Sequence, residues 1–92
     1  MIDHDQPTFI SSNKKTFLIG IDKKSRPHTL WVNYGAAINP ETDDIFFTAI
    51  TYNLVDGKSK GKRSKRVYVA ENKEYLYKSI TNQVLKRRSE WK

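Results

Sequence analysis

Cysteine is absent from this 92-residue chain, which excludes a disulfide framework and any thiolate metal site. No apolar run approaches the roughly 18 to 20 residues that span a bilayer. The opening Met1-Ile2-Asp3-His4-Asp5 is acidic and lacks the basic-then-apolar order of a signal peptide. An intracellular, cytoplasmic location is the expectation. The P-loop glycines and the Gly-flanked serine of a nucleophile elbow are missing too. The two histidines, His4 and His28, stand far apart without helical i, i+4 pairing, so no metal site is expected. Glu41, Asp43 and Asp44 sit in a segment whose turn chemistry accounts for them. Neither a cofactor nor a catalytic set can be assembled. A metal-free cleavage of phosphodiesters by Lys, Arg and Tyr is the one enzymatic alternative, and a non-enzymatic role is expected.

What remains is one small domain, too short for a second core and marginal enough that a partner could help to order it. Its charge is unevenly placed. Residues 1–57 have five bases and seven acids, a net of −2, whereas residues 58–92 have twelve bases and three acids, a net of +9. A one-sided excess makes a local field that attracts polyanions.

The pattern along the chain predicts a small antiparallel sheet of three to four strands followed by a C-terminal helix on one face, an α+β class. Residues 1–15 read as a flexible arm and residues 16–92 as the domain. Thr16–Asp22 alternates as a strand with Phe17, Ile19 and Ile21 on one face. Thr29–Tyr34 is a second strand, with Leu30, Val32 and Tyr34 opposite Trp31 and Asn33. Asn39–Asp44 is a turn, and Ile45–Val55 is a long strand apolar on both faces. Arg66–Ala70 is the fourth. The helix follows, with Asn72 as N-cap, Glu74 in the first turn and Leu76, Ile80 and Val84 on one arc with Tyr77.

Three constellations bear on function. Lys58, Lys60, Lys62, Arg63, Lys65 and Arg66 supply six bases in nine residues, the other three being Ser or Gly. Lying between two strands within the 57–66 loop, they are expected at a hairpin tip, mobile when free and suited to phosphates. Lys78, Lys86, Arg87 and Arg88 on the helix extend that footprint, although the last-turn bases also complement the helix dipole. An exposed sheet face bearing Trp31 and Tyr68 could stack on unpaired bases, or could serve as a second core or an interface. No aromatic signature of an RNA-recognition motif is present.

Over Gly61 to Ile80, the sheet-then-helix order with its basic turn resembles small DNA-binding domains of the integrase arm-binding type. That resemblance is one of element order alone and assigns neither a family nor residue roles.

The expected function is nucleic-acid binding through phosphate contacts. Duplex DNA is favoured over RNA because a β-ribbon fits a groove. The alternative is a small regulator that docks its positive third on an acidic protein surface of a larger enzyme or polymerase. A homodimer is also admitted, and no membrane partner is expected.

Overall fold

The computed structural model describes residues 8–59 and 65–91, with side chains from residue 12 onward. Among the described residues, five strands and one helix follow in chain order: β1 (Thr8–Ile21), β2 (Pro27–Ile38), β3 (Ile45–Val55), β4 (Lys58–Ser59), β5 (Lys65–Ala70) and α1 (Lys73–Glu90). All pairings are antiparallel, in the order β1-β2-β3, with β4 and β5 both paired to β3. The expected α+β architecture holds. Among the described residues, no helix is long and apolar enough to cross a membrane.

The helix covers one face only. Asn72 caps it as anticipated, its side chain accepting from the Glu74 amide at 2.8 Å. Leu76, Ile80 and Val84 then recur at i, i+4 and i+8, which is one stripe of a helix. They are buried against Ile19, Leu30, Val32, Tyr34 and Ala49. The helix C-terminus is pinned to β1: Trp91 Nε1 donates to the Ile21 carbonyl at 3.3 Å, and Arg88 Nε donates to the Leu18 carbonyl at 2.7 Å. Gly20 is required under the Trp91 ring, because a Cβ there would lie 2.2 Å from it.

Several expectations are corrected. Residues 8–15, read as part of an arm, form the first half of β1 and pair with β2 from Thr8↔Ile38 onward. The polar Ser-Asn-Lys-Lys run becomes strand because β2 offers it an unpaired edge, a tertiary override of local propensity. Residues 1–7 lie outside the described residues. Ile21 leaves the face of Phe17 and Ile19 and is 58% exposed. A bulge between Leu18 and Gly20 shifts the alternation by one. Pro27 is the first residue of β2, a position where a missing donor costs little.

Asp56-Gly57, read as the start of the long loop, is itself a two-residue hairpin turn. Both residues have positive φ, 54° and 80°, the signature of the type I′ turn that Asp-Gly favours. Lys58 and Ser59 pair straight back onto Val55 and Leu54.

The β1–β2 turn is organised by one carboxylate. Asp22 accepts from the amides of Lys24 and Arg26, from Arg26 Nε and from His28 Nε2, all at 2.8–3.0 Å. The His28 contact, then the Arg26 amide, hold its carboxyl well below the ordinary value of 3.8. His28 in turn packs its ring on Trp91, centroids 4.7 Å apart, so the turn and the helix end support each other.

Two outcomes follow from these contacts. Ile80→Ala removes a side chain that is 1% exposed at the centre of the core; it should cost about 2–5 kcal/mol, read as a large drop in denaturant midpoint. Because the folded-state pKa of Asp22 is depressed, its stabilisation is fully present above the ordinary carboxyl range and lost as pH falls below it. The stability difference between wild type and Asp22→Asn should therefore be constant near neutrality and shrink below pH ~4, followed by melting from pH 6 to pH 2.

Candidate nucleic-acid interface

The registers fix which side chains share a face. On the helix side of the β3 edge, Lys58 stands opposite Val55 and Arg66 opposite Thr51. Between them lies Asn53, whose Oδ1 accepts a hydrogen bond from Arg87 Nη1. Four rungs of β3 separate Lys58 from Arg66, about 13 Å at strand rise. Arg87 fills the middle of that interval, so the helix end and the basic strand edge, distant in sequence, meet at one corner. Lys65, opposite Tyr52, points to the other side of the sheet and brings charge around the edge. Lys58, Lys65 and Arg66 are exposed.

Lys60, Lys62 and Arg63 fall outside the described residues. The segment containing them leaves β3 at Ser59↔Leu54 and returns at Lys65↔Tyr52. Among the described residues of this stretch, the hairpin turn is Asp56-Gly57, between β3 and β4. That turn does not project, since the Asp56 amide donates to the Pro27 carbonyl at 2.8 Å and ties it to β2.

The helical bases separate into three situations. Lys86 is exposed beside Arg87 and can join the corner. Arg88 is turned to β1 by its bond to the Leu18 carbonyl. Lys78 is exposed too, but it precedes Arg87 by nine residues, about 13 Å along the axis, and the structure does not bring it to the corner. Among the described residues, ion pairing is confined to Asp22 with Arg26 and His28, leaving the corner cations unneutralised.

Lys23 and Lys24, passed over in the sequence as a polar break, lie at this same end of the sheet. Their turn leads into β2 at Pro27, which touches the Asp56 turn. At the opposite end sit Glu41, Asp43 and Asp44 in the β2–β3 turn and Glu71 and Glu74 before and within the first helical turn. The molecule is thus electrically polarised along its strands. That polarity has no signature in the linear charge count, because the turn from 22 to 26 belongs to the acidic portion of the chain.

The aromatic expectation is half corrected. Tyr68 pairs with Ala49 and lies under the helix, its hydroxyl donating to Gln83 Oε1 at 3.3 Å. Trp31 is on the other, uncovered face, where its neighbour is Tyr52, ring centroids 5.4 Å apart and tilted by 55°. Val67 and Val69, which flank Tyr68, are the residues left exposed, at 57% and 62%. Strand alternation says only that Tyr68 and the valines part company. Which of them is buried was set by where the helix lies.

The remaining chemistry is sparse. Among the described residues, no three His, Cys, Asp or Glu side chains gather to hold a metal ion. A cleft of about 730 Å³ lies at the acidic end, lined by Asn39, Asp44, Phe46 and Glu71 among others, far from the basic corner. His4 is outside the described residues, and His28 is engaged by Asp22 and Trp91. Comparison with known proteins finds no matching family model, no similar characterised protein and no similar solved structure.

The distinction between engaged and unengaged cations is measurable. Arg87→Ala leaves the half-buried Asn53 amide without its charged donor and should destabilise the fold by about 1.5–3 kcal/mol. Lys86→Ala, one residue earlier and exposed, should stay within about 0.5 kcal/mol of wild type. Paired urea titrations at neutral pH compare them.

Proposed function

We propose that the chain is a nucleic-acid-binding protein that grips the phosphate backbone at the corner where β4, β5 and the end of α1 meet. The observation that carries this reading is the convergence of Lys58, Arg66 and Arg87 along about 13 Å of one strand edge. Lys65 and Lys86 flank them, and no acidic side chain pairs with them among the described residues. The sheet fixes the spacing of the backbones that bear these cations, which leaves only side-chain freedom to be lost on meeting a row of phosphates, and neutralisation releases condensed counterions. Lys60, Lys62 and Arg63 would add to this contact from the segment between β4 and β5. The contact is to backbone and therefore carries no base identity.

A salt titration tests it. Each phosphate contact contributes about −0.9 to the slope of log K against log salt on B-DNA. Lys58→Ala, Lys65→Ala and Arg66→Ala combined should flatten the slope on a duplex by up to about 2.7, with equal weakening for two unrelated sequences. All three residues are exposed, so the melting temperature should hardly move. An unchanged slope, or no binding at about 50 mM salt, would overturn the proposal and leave the protein-docking regulator as the reading to pursue.

A further inference from the structure

The uncovered face of the sheet is a surface for unpaired bases, so that, on the backbone reading above, the nucleic acid this protein takes is single-stranded; we infer this from how the face is composed and how wide it is. The molecule is 19 Å in its thinnest dimension, which one sheet and one helix layer fill. Among the described residues, no layer lies on the second face. The strand registers order that face into cross-strand rows. One reads Thr16–Trp31–Tyr52–Lys65, and the next reads Lys14–Asn33–Ile50–Val67.

The central aromatic pair thus ends in a lysine at the β5 edge, and the neighbouring row begins with a lysine at the β1 edge. A strand of nucleic acid crossing the rows would meet a cation at each margin and π surface between them. Lys65 belongs to both the corner and this face, which makes the two surfaces continuous. Base–aromatic stacking tolerates any base, in keeping with a backbone grip that reads none.

Width decides against a paired substrate here. Three inter-strand steps of about 4.8 Å separate the β1 and β5 backbones, some 14 Å before side chains are added, whereas the major groove is about 12 Å wide and admits a helix or a two-stranded ribbon. Unless a duplex is kinked and its groove opened, Trp31 and Tyr52, in the middle of the sheet, touch bases only when the bases come out to them. Charge decides against a second copy of the chain. Two such faces would bring together molecules of formal charge +7 each, with Lys14 and Lys65 on both surfaces.

The test uses the full chain, a fluorescein-labelled dT 12-mer, an rU 12-mer and a 12-base-pair duplex, at matched salt. Trp31→Leu and Tyr52→Leu keep an apolar side chain and remove the ring. Val67→Glu places an anion at a position already 57% exposed, where folding is insensitive to it. The inference expects tighter binding to the single strands than to the duplex. It expects roughly 5- to 150-fold weaker single-strand binding for each leucine variant, with the salt slope kept. It also expects a loss for Val67→Glu at unchanged melting temperature.

Duplex binding equal to or tighter than single-strand binding overturns the inference while leaving the backbone reading intact, provided that the corner variants still flatten the slope. Leucine variants and Val67→Glu that bind like wild type do the same. Sedimentation showing a dimer at micromolar concentration that Val67→Glu dissociates overturns it in favour of a second copy as occupant. Absence of binding to all three probes at about 50 mM salt overturns both readings together.

Discussion

The helix stripe of Leu76, Ile80 and Val84 laid across Leu30, Val32 and Tyr34 is the constraint from which the rest of this molecule follows. Among the described residues it is the one packed core of two layers, and so it separates the sheet into a dry face and a wet one. Every residue that alternates along a strand is thereby assigned a side. Tyr68 goes under the helix and hydrogen-bonds to Gln83, while Val67 and Val69 stay in water. The same packing draws the last helical turns over the end of the sheet, where Arg87 reaches Asn53 and Trp91 closes over Gly20.

Pinning the helix end at both edges gives the basic corner its rigidity. Arg88 and Trp91 bind carbonyls of β1, and Arg87 binds β3 across the width of the sheet. Both last-turn cations, Arg87 and Arg88, therefore bond to the protein itself. Their helix-dipole contribution is small beside such contacts, a few tenths to one kcal/mol at an exposed terminus. The corner cations without such a bond to the fold are Lys58, Lys65, Arg66 and Lys86, all of them exposed.

Along the strands the charges sort by end. Turns and strand ends carrying Lys23, Lys24 and Lys58 gather with the helix C-terminus. The opposite end collects Glu41, Asp43, Asp44, Glu71 and Glu74. Such separation orients the molecule in the field of a polyanion before contact, because the acidic end is repelled while the basic end is drawn in. Asp22, Asp56 and Glu90 are the acids at the basic end, and Asp22 is consumed by its own turn, where four donors surround it. Its charge supports structure without opposing the surface charge.

Much of the secondary structure was legible in the residues themselves. The run Ile45–Val55 is a strand over its whole length, Asn72 caps the helix, and the 3.6-residue spacing of Leu76, Ile80 and Val84 marks the face that is buried. These signals are local: β-propensity, a capping side chain and helical periodicity each act within a few residues. Asp56-Gly57 was equally local, a hairpin signature that the surrounding bases obscured. The strand pairing of residues 8–15 was not legible, since a polar segment becomes strand only where a neighbour's edge supplies its hydrogen bonds. Nor could alternation say whether Tyr68 or Val67 faces inward, because a period of two is symmetric between the faces until a helix covers one. The meeting of Arg87 with Asn53, 34 residues apart, and the arrival of Lys23 and Lys24 at the basic end depend on chain crossings that no local pattern records. The sequence determined that this would be a basic sheet-and-helix protein; only the tertiary packing decided where its charge is focused and which aromatic rings remain open to a partner, because both depend on which face the helix chose.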